Sequence, residues 1–432
     1  MKNKFLAIIL FILLFFSVAQ AQEVALTLDQ AIAIGLRDNR EVLMRAEEVK
    51  KAKAKIDQAN AALFPSLTFT GGYTNTHGLS PKNLGLTTTQ TSVRQALFQG
   101  GRIINTILYT RDGLEVSRAV LDKAKLETAF NISKAFYTLL LARESAALNK
   151  GILENTRMHL DYHLARQKNG QASDSEILNI KDSLANVEKA YEAAVNQAES
   201  AQVLLKSILY LDEKISLLPQ AEFKYEPQDI AYDESLIKAM STRPEIRQYE
   251  AQIKANQKAI EIAKADSRPQ IYGSWEYYSR SSYSAIASGG TITGASSGSG
   301  KGWNDYSTLG FVFTWPVFDG WAAKAKVDQA ITDLKQARLL KEKTVKDVAS
   351  EVKNTYLELK TALSRLKAAE TGLLNYRNSL SVATAQKQSG IASTLDWDDA
   401  KLRYDVADFN KKQAVYDYLI AKANFDKATG GV

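Results

Sequence analysis

The chain repeats itself, and that repetition limits it to folds assembled from two equivalent halves. Leu97-Phe98-Gln99-Gly100-Gly101-Arg102 returns as Val317-Phe318-Asp319-Gly320-Trp321-Ala322, 220 residues later. Ala135-Phe136-Tyr137-Thr138-Leu139 corresponds to the segment around Tyr356 at a shift of 219, and Gly170-Gln171-Ala172-Ser173 to Gly390-Ile391-Ala392-Ser393 at 220. Upstream, Leu63-Phe64-Pro65 matches Ser267-Arg268-Pro269 at a shift of 204, so the second copy carries a 16-residue excess between these markers. Four markers in the same order at near-constant offsets define a tandem duplication.

Each copy reads the same way. The seven prolines, Pro65, Pro81, Pro219, Pro227, Pro244, Pro269 and Pro316, all lie outside the windows 101–211 and 320–429. Those windows read as near-continuous helix, each broken once at a glycine. A helix over 101–168 would be on the order of 100 Å long, more than twice the width of a globular domain of this mass. Leu114, Leu121, Ala124, Ala135, Leu139, Ala146 and Leu153 recur along it, so it needs helical neighbours along its whole length. A shorter helix opens each copy, over 28–63 and 233–265, with Pro244 suited to a restarted first turn. The expected division is 22–211 for the first repeat, 212–232 for a linker, and 233–432 for the second repeat. The long helices are expected at about 101–168, 173–211, 320–388 and 393–429.

Between the short and long helices lie stretches of period two. Leu67, Phe69 and Tyr73 oppose Thr68, Thr70 and Thr74; Leu309, Phe311, Phe313 and Trp315 oppose Thr308 and Thr314. Ile271, Trp275 and Tyr277 oppose Ser274, Glu276 and Arg280, and a weaker alternation covers Val93 and Leu97. Strands are expected at 66–74, 89–98, 270–280 and 308–315. Strands of about ten residues with aromatic ends suit a transmembrane β-barrel, while ordinary half-buried hairpins give the same alternation.

The N-terminus favours the membrane reading. Lys2 and Lys4 precede an apolar run from Phe5 to Val18, and Ala19-Gln20-Ala21 forms a small-residue cleavage site. Residues 1–21 read as a secretion signal; the run is short for an uncleaved anchor. Losing Lys2 and Lys4 lowers the net charge from +7 to +5, too mild over this length to suggest a nucleic-acid partner. The sequence contains no cysteine, which excludes disulfides, thiolate metal sites and a cysteine nucleophile. Four strands cannot close a barrel or satisfy their edges in lipid. Two copies give eight strands, whose side chains fill the lumen; three give twelve strands and twelve long helices around a space wide enough for a solute.

The duplicated strand–strand–helix–helix unit, with its F-x-G-G-like turn after each second strand, resembles the TolC-like outer-membrane efflux proteins. The run from Gly390 to Ala400, continued by Ala414–Ala421 and Lys427–Gly430, is especially similar. The resemblance implies an α+β membrane protein: a trimeric 12-stranded β-barrel on a 12-helix periplasmic α-barrel, with the linker in an equatorial layer. It implies a homotrimer in the outer membrane and its lipid, working with a periplasmic adaptor (membrane fusion) protein. An inner-membrane pump of RND, ABC or MFS type would supply the energy for efflux or type I secretion. No cofactor and no enzymatic activity are implied.

The resemblance also places the periplasmic entrance at the two helix-hairpin tips. Gly170 and Gly390 suit left-handed helix stops, and Ser173-x-x-Glu176 and Ser393-x-x-Asp396 suit capping boxes. These four tip residues, Gly170, Ser173, Gly390 and Ser393, are also where the family contacts its adaptor. Asp396 and Asp399 are three apart on one helical face and match the family's acidic ring; Asp is equally at home in any first helical turn. In a trimer the ring would hold six carboxylates and favour cations. Glu176 falls on a latch position, but the family's aromatic position is Lys387 and a basic one is Ala392. A Glu176–Lys387 pair would replace that latch, at about 0–1 kcal/mol while exposed.

Other signals lead nowhere. His159 and His163 are spaced i, i+4 but lack a recognisable third ligand, so no metal site is expected. Three histidines, the third being His77, support no catalytic triad. The Gly/Ser-rich stretch 289–302 lacks the glycine and the Ser/Thr of a phosphate loop and reads as an extracellular loop. The remaining alternative to a channel is an exported coiled-coil scaffold without a pore.

Overall fold

The computed structural model describes residues 23–76, 82–212, 214–220, 225, 230–286 and 304–431. The secretion signal, His77 and the Gly/Ser-rich loop lie outside the described residues. In chain order the elements are β1 (Glu23–Leu26), α1 (Leu28–Asp38), α2 (Arg40–Ala61), β2 (Ser66–Thr76), β3 (Lys82–Gln99), α3 (Arg102–Lys168) and α4 (Asp174–Leu209). They continue as β4 (Ser216–Pro219), α5 (Tyr232–Thr242), α6 (Pro244–Lys264), a single 3-10 turn at Ala265–Ser267, β5 (Gln270–Ile286), β6 (Asn304–Thr314), α7 (Ala322–Gln388) and α8 (Thr394–Ala428). Helices α3 and α7 each run 67 residues. None of the described helices is long and apolar enough to cross a membrane.

Two elements differ from the sequence reading. The helix expected over 28–63 breaks at Asn39, whose backbone is extended. Its side chain accounts for the break: Oδ1 accepts from Glu41 N at 2.9 Å, and Nδ2 donates to Ile208 O at 3.2 Å. The second such helix restarts at Pro244, as its sequence suggested, after a break at Arg243; proline has no N–H to continue the ladder. The linker 212–232 holds β4, which pairs in parallel with β1, Glu23 opposite Ser216 and Leu26 opposite Pro219. Four-residue strands carry too little period to be read from sequence.

The chain forms two compact units from interleaved segments. One comprises the chain up to Ala46, Leu121–Pro244 and Val345 onwards; the other comprises Glu47–Val120 and Glu245–Thr344. The first unit has a core of Leu26, Ala31, Ile132, Phe136, Leu139, Leu205, Leu209 and Leu217, all nearly inaccessible. Spacings of three and four put Ile132, Phe136 and Leu139 on one stripe of α3, facing Leu205 and Leu209 of α4. A buried arginine fastens the end of α5: Arg243 Nη2 donates to Glu351 Oε2 at 2.7 Å and Nη1 to Lys427 O at 3.1 Å.

The second unit is organised by an antiparallel sheet of order β2-β3-β5-β6. Register carries Leu67, Val93, Trp275 and Leu309 straight across all four strands, and Thr68, Ser92, Glu276 and Thr308 across the opposite face. One face is thus apolar and the other polar, as the two-residue period dictates. The apolar face is uncovered: Phe69, Leu309 and Phe311 are 71–80% exposed. β2 and β6 are the sheet's edges.

The turn leading from β3 into α3 shows what the repeated motif does. Gly100 and Gly101 have φ of +60° and +88°, and Gly320 and Trp321 repeat this at +67° and +71°. A Cβ on Gly100 would lie 2.6 Å from Arg268 Cβ, and Arg268 Nη1 donates to Gly100 O at 2.8 Å. Gly100→Ala is therefore expected to cost about 1–3 kcal/mol from backbone strain with the contact added. Gly320→Ala, with open space around it, should lose less. Thermal unfolding of the two variants side by side checks the difference. Trp321 occupies a left-handed position that its counterpart fills with glycine, and its ring stands edge-on to Phe318 at 6.0 Å.

Candidate functional site: the helix-hairpin tips

The two hairpin tips, both in the first unit, are built by the same local chemistry. At the first, Gly170 (φ +71°) ends α3, with Gly170 N donating to Gln167 O at 2.9 Å and Gln171 N to Arg166 O at 2.9 Å. At the second, Gly390 (φ +74°) ends α7, with Gly390 N on Lys387 O at 3.1 Å and Ile391 N on Gln386 O at 2.9 Å. Each return helix starts in a capping box. Glu176 N donates to Ser173 Oγ at 3.3 Å, while Ser173 N donates to Glu176 Oε2 at 3.0 Å. Asp396 N donates to Ser393 Oγ at 3.2 Å, and Ser393 N and Oγ donate to Asp396 Oδ2 at 2.9 and 2.7 Å. The hydroxyl of Ser393, and then its backbone N–H, hold the Asp396 carboxyl below the ordinary aspartate value.

Within the single chain the candidate residues have the following partners. Glu176 is committed to its capping box. Lys387 lies with Nζ 4.1 Å from the centre of the Trp397 ring, and Trp397 Nε1 donates to Thr384 Oγ1 at 3.0 Å. Within one chain, Glu176 and Lys387 are therefore not brought together. Asp399 Oδ1 sits 2.7 Å from His159 Nε2, with both side chains partly buried. Asp396 and Asp399 do follow one another along the start of α8.

Two participants were not singled out in the sequence. Trp397 is masked by sitting among three aspartates, although its position one turn past Ser393 points it back to α7. The spacing of His159 and His163 supports no metal site, and the partner of His159 lies 240 residues away in the chain. His163 instead has a buried Nδ1 with no hydrogen-bond partner and an edge-on contact with Tyr162. Among the described residues no three His, Asp or Glu side chains are grouped to hold a metal ion.

The sheet has one uncovered apolar face, and each copy of the duplication carries a 67-residue helix that ends at a glycine. The model of the outer membrane efflux protein family matches twice, over residues 31–209 and 236–431, once for each copy of the duplication. The chain belongs to this family. It is 21% identical over 387 residues to outer membrane efflux protein BepC of Brucella suis, covering 88% of this chain and 81% of that protein. Its fold matches the CmeC outer membrane channel of Campylobacter jejuni with a TM-score of 0.73 at 16% identity, over 94% of this chain and 85% of the other. It also matches the open state of the MtrE outer membrane channel of Neisseria gonorrhoeae, with a TM-score of 0.72 at 19% identity over 96% and 93%.

Proposed function

We propose that three copies of this chain form an exit duct through a cell outer membrane, passively conducting substrates delivered by an inner-membrane pump through a periplasmic adaptor. The observation that carries this reading is the four-stranded sheet with an uncovered apolar face and two free edges. Lipid satisfies the face, and two further copies satisfy the edges by closing twelve strands. The relatives named above are efflux proteins and channels by name, in line with a duct of either a tripartite efflux or a type I secretion system.

In this reading the tips form the periplasmic entrance. Asp396 and Asp399 line it, and Gly170, Ser173, Gly390 and Ser393 shape the surface that meets the adaptor. Glu176 and Lys387 latch neighbouring protomers rather than two hairpins of one chain, leaving the Trp397 and capping-box contacts as the alternatives they exchange for.

Purified protein in a planar bilayer is expected to give discrete single-channel steps; a scaffold without a pore would give none. In the same recordings, exchanging the charges at Glu176 and Lys387 together should restore the closed conductance lost by either change alone. Failure of that restoration removes the latch and leaves the duct.

A further inference from the structure

The contacts around His159 extend the entrance reading, on which this inference rests. Helices α3 and α8 pack antiparallel in steady register: Thr138 Oγ1 with Tyr416 OH at 3.1 Å, Lys412 Nζ with Glu144 Oε2 at 2.7 Å, and His159 Nε2 with Asp399 Oδ1 at 2.7 Å. Each hairpin is also closed on itself. Arg143 with Gln202, Arg157 with Glu188 and Gln167 with Asp174 zip α3 to α4. Trp397 with Thr384 and Lys387 zips α7 to α8. Of the three α3–α8 contacts, His159–Asp399 is the one nearest the tips, so separating the hairpins there must break it.

We propose that His159 is a positioning residue for the entrance: it holds Asp399 and ties the two hairpins of one protomer together in the closed state. The imidazole donates to Asp399 when Nε2 carries its proton. On α3, Arg157 is spent on Glu188 of α4, and Asp161 and His163 flank His159 in sequence. On α4, the register set by Arg157–Glu188 and Arg143–Gln202 places the neutral Asn186 opposite His159. On α8, Asp396 and Arg403 lie one turn to either side of Asp399, with Asp398 adjacent.

The test uses two readouts on the full-length protein. In bilayers at one fixed pH, wild type and His159→Gln, which keeps a side-chain donor, are expected to open equally rarely; His159→Ala should open more often. Because the chain has no cysteine, Ala172→Cys and Ala392→Cys can carry spin labels, diluted into unlabelled protein so that only distances within one protomer are read. His159→Ala should lengthen and broaden that distance, and His159→Gln should leave it narrow. Identical distances in wild type and His159→Ala would overturn the tie, whether or not the protein conducts. Absence of conductance with a lengthened distance in His159→Ala would sink the duct and keep the tie.

Discussion

Phe136→Ala is expected to be the most damaging single truncation, costing about 3–5 kcal/mol. The ring has no solvent exposure and packs in the core with Ile132, Leu139, Leu205, Leu209 and Leu217. It also meets the Tyr137 ring edge-on at 5.8 Å. Truncation loses the transfer free energy of the ring and leaves a cavity, because the two long helices that wall it are held at a distance by their other contacts. Circular dichroism melting should show the loss as a much lower midpoint. Phe311→Ala provides the contrast, since that ring is 77% exposed in the isolated chain. It should barely alter the melting of the helical core, yet it should weaken insertion into lipid if the sheet lies in a membrane. Equal melting losses for the two variants would contradict the division between a packed core and an uncovered sheet face.

Neutralising Asp396 and Asp399, the proposed entrance carboxylates, is expected to have the largest functional effect. The structure changes which substitution is informative. Asp396 accepts both the backbone N–H and the hydroxyl of Ser393, so alanine would remove a cap as well as a charge. Asp396→Asn with Asp399→Asn keeps acceptors in place and removes only the charge. Under a salt gradient, the reversal potential of the double variant should collapse towards the value of an unselective pore, with single-channel steps still present. An unchanged cation preference would return both aspartates to helix capping alone. The pH dependence has a definite sign. Since Ser393 lowers the Asp396 pKa, its charge and the cap it stabilises persist through the ordinary aspartate range. Both are lost only as pH falls through the lowered value. Cation preference carried by Asp396 should therefore survive mild acid.

What the sequence disclosed was whatever depends on near neighbours in the chain. Gly170 and Gly390 are legible because a left-handed helix stop needs glycine, and Ser173 and Ser393 because a capping box spans three residues. The strands announced themselves by alternation, although β3 begins at Lys82, seven residues before the alternation starts. Its early part is Leu84-Gly85-Leu86-Thr87, where glycine and threonine blur the two faces. What the sequence hid was distance. β1 pairs with β4 across the whole length of the first repeat, and His159 finds Asp399 on the far hairpin. Nothing local to either partner specifies those meetings; they follow from how the long helices line up. At one point the two copies share a conformation without sharing a residue: Trp321 stands at φ +71° where its counterpart is Gly101.

The order of the strands carries a cost outside the membrane. The β3–β5 junction joins the two repeats inside one chain, so only β2 and β6 remain to pair elsewhere. They run in opposite directions, and the β6 edge of one molecule offers an antiparallel seat to the β2 edge of another. Such head-to-tail joining has no built-in stop: it ends as a ring only if the curvature is right, and otherwise continues as an open ribbon. Protein accumulating faster than lipid can receive it should therefore polymerise edge to edge.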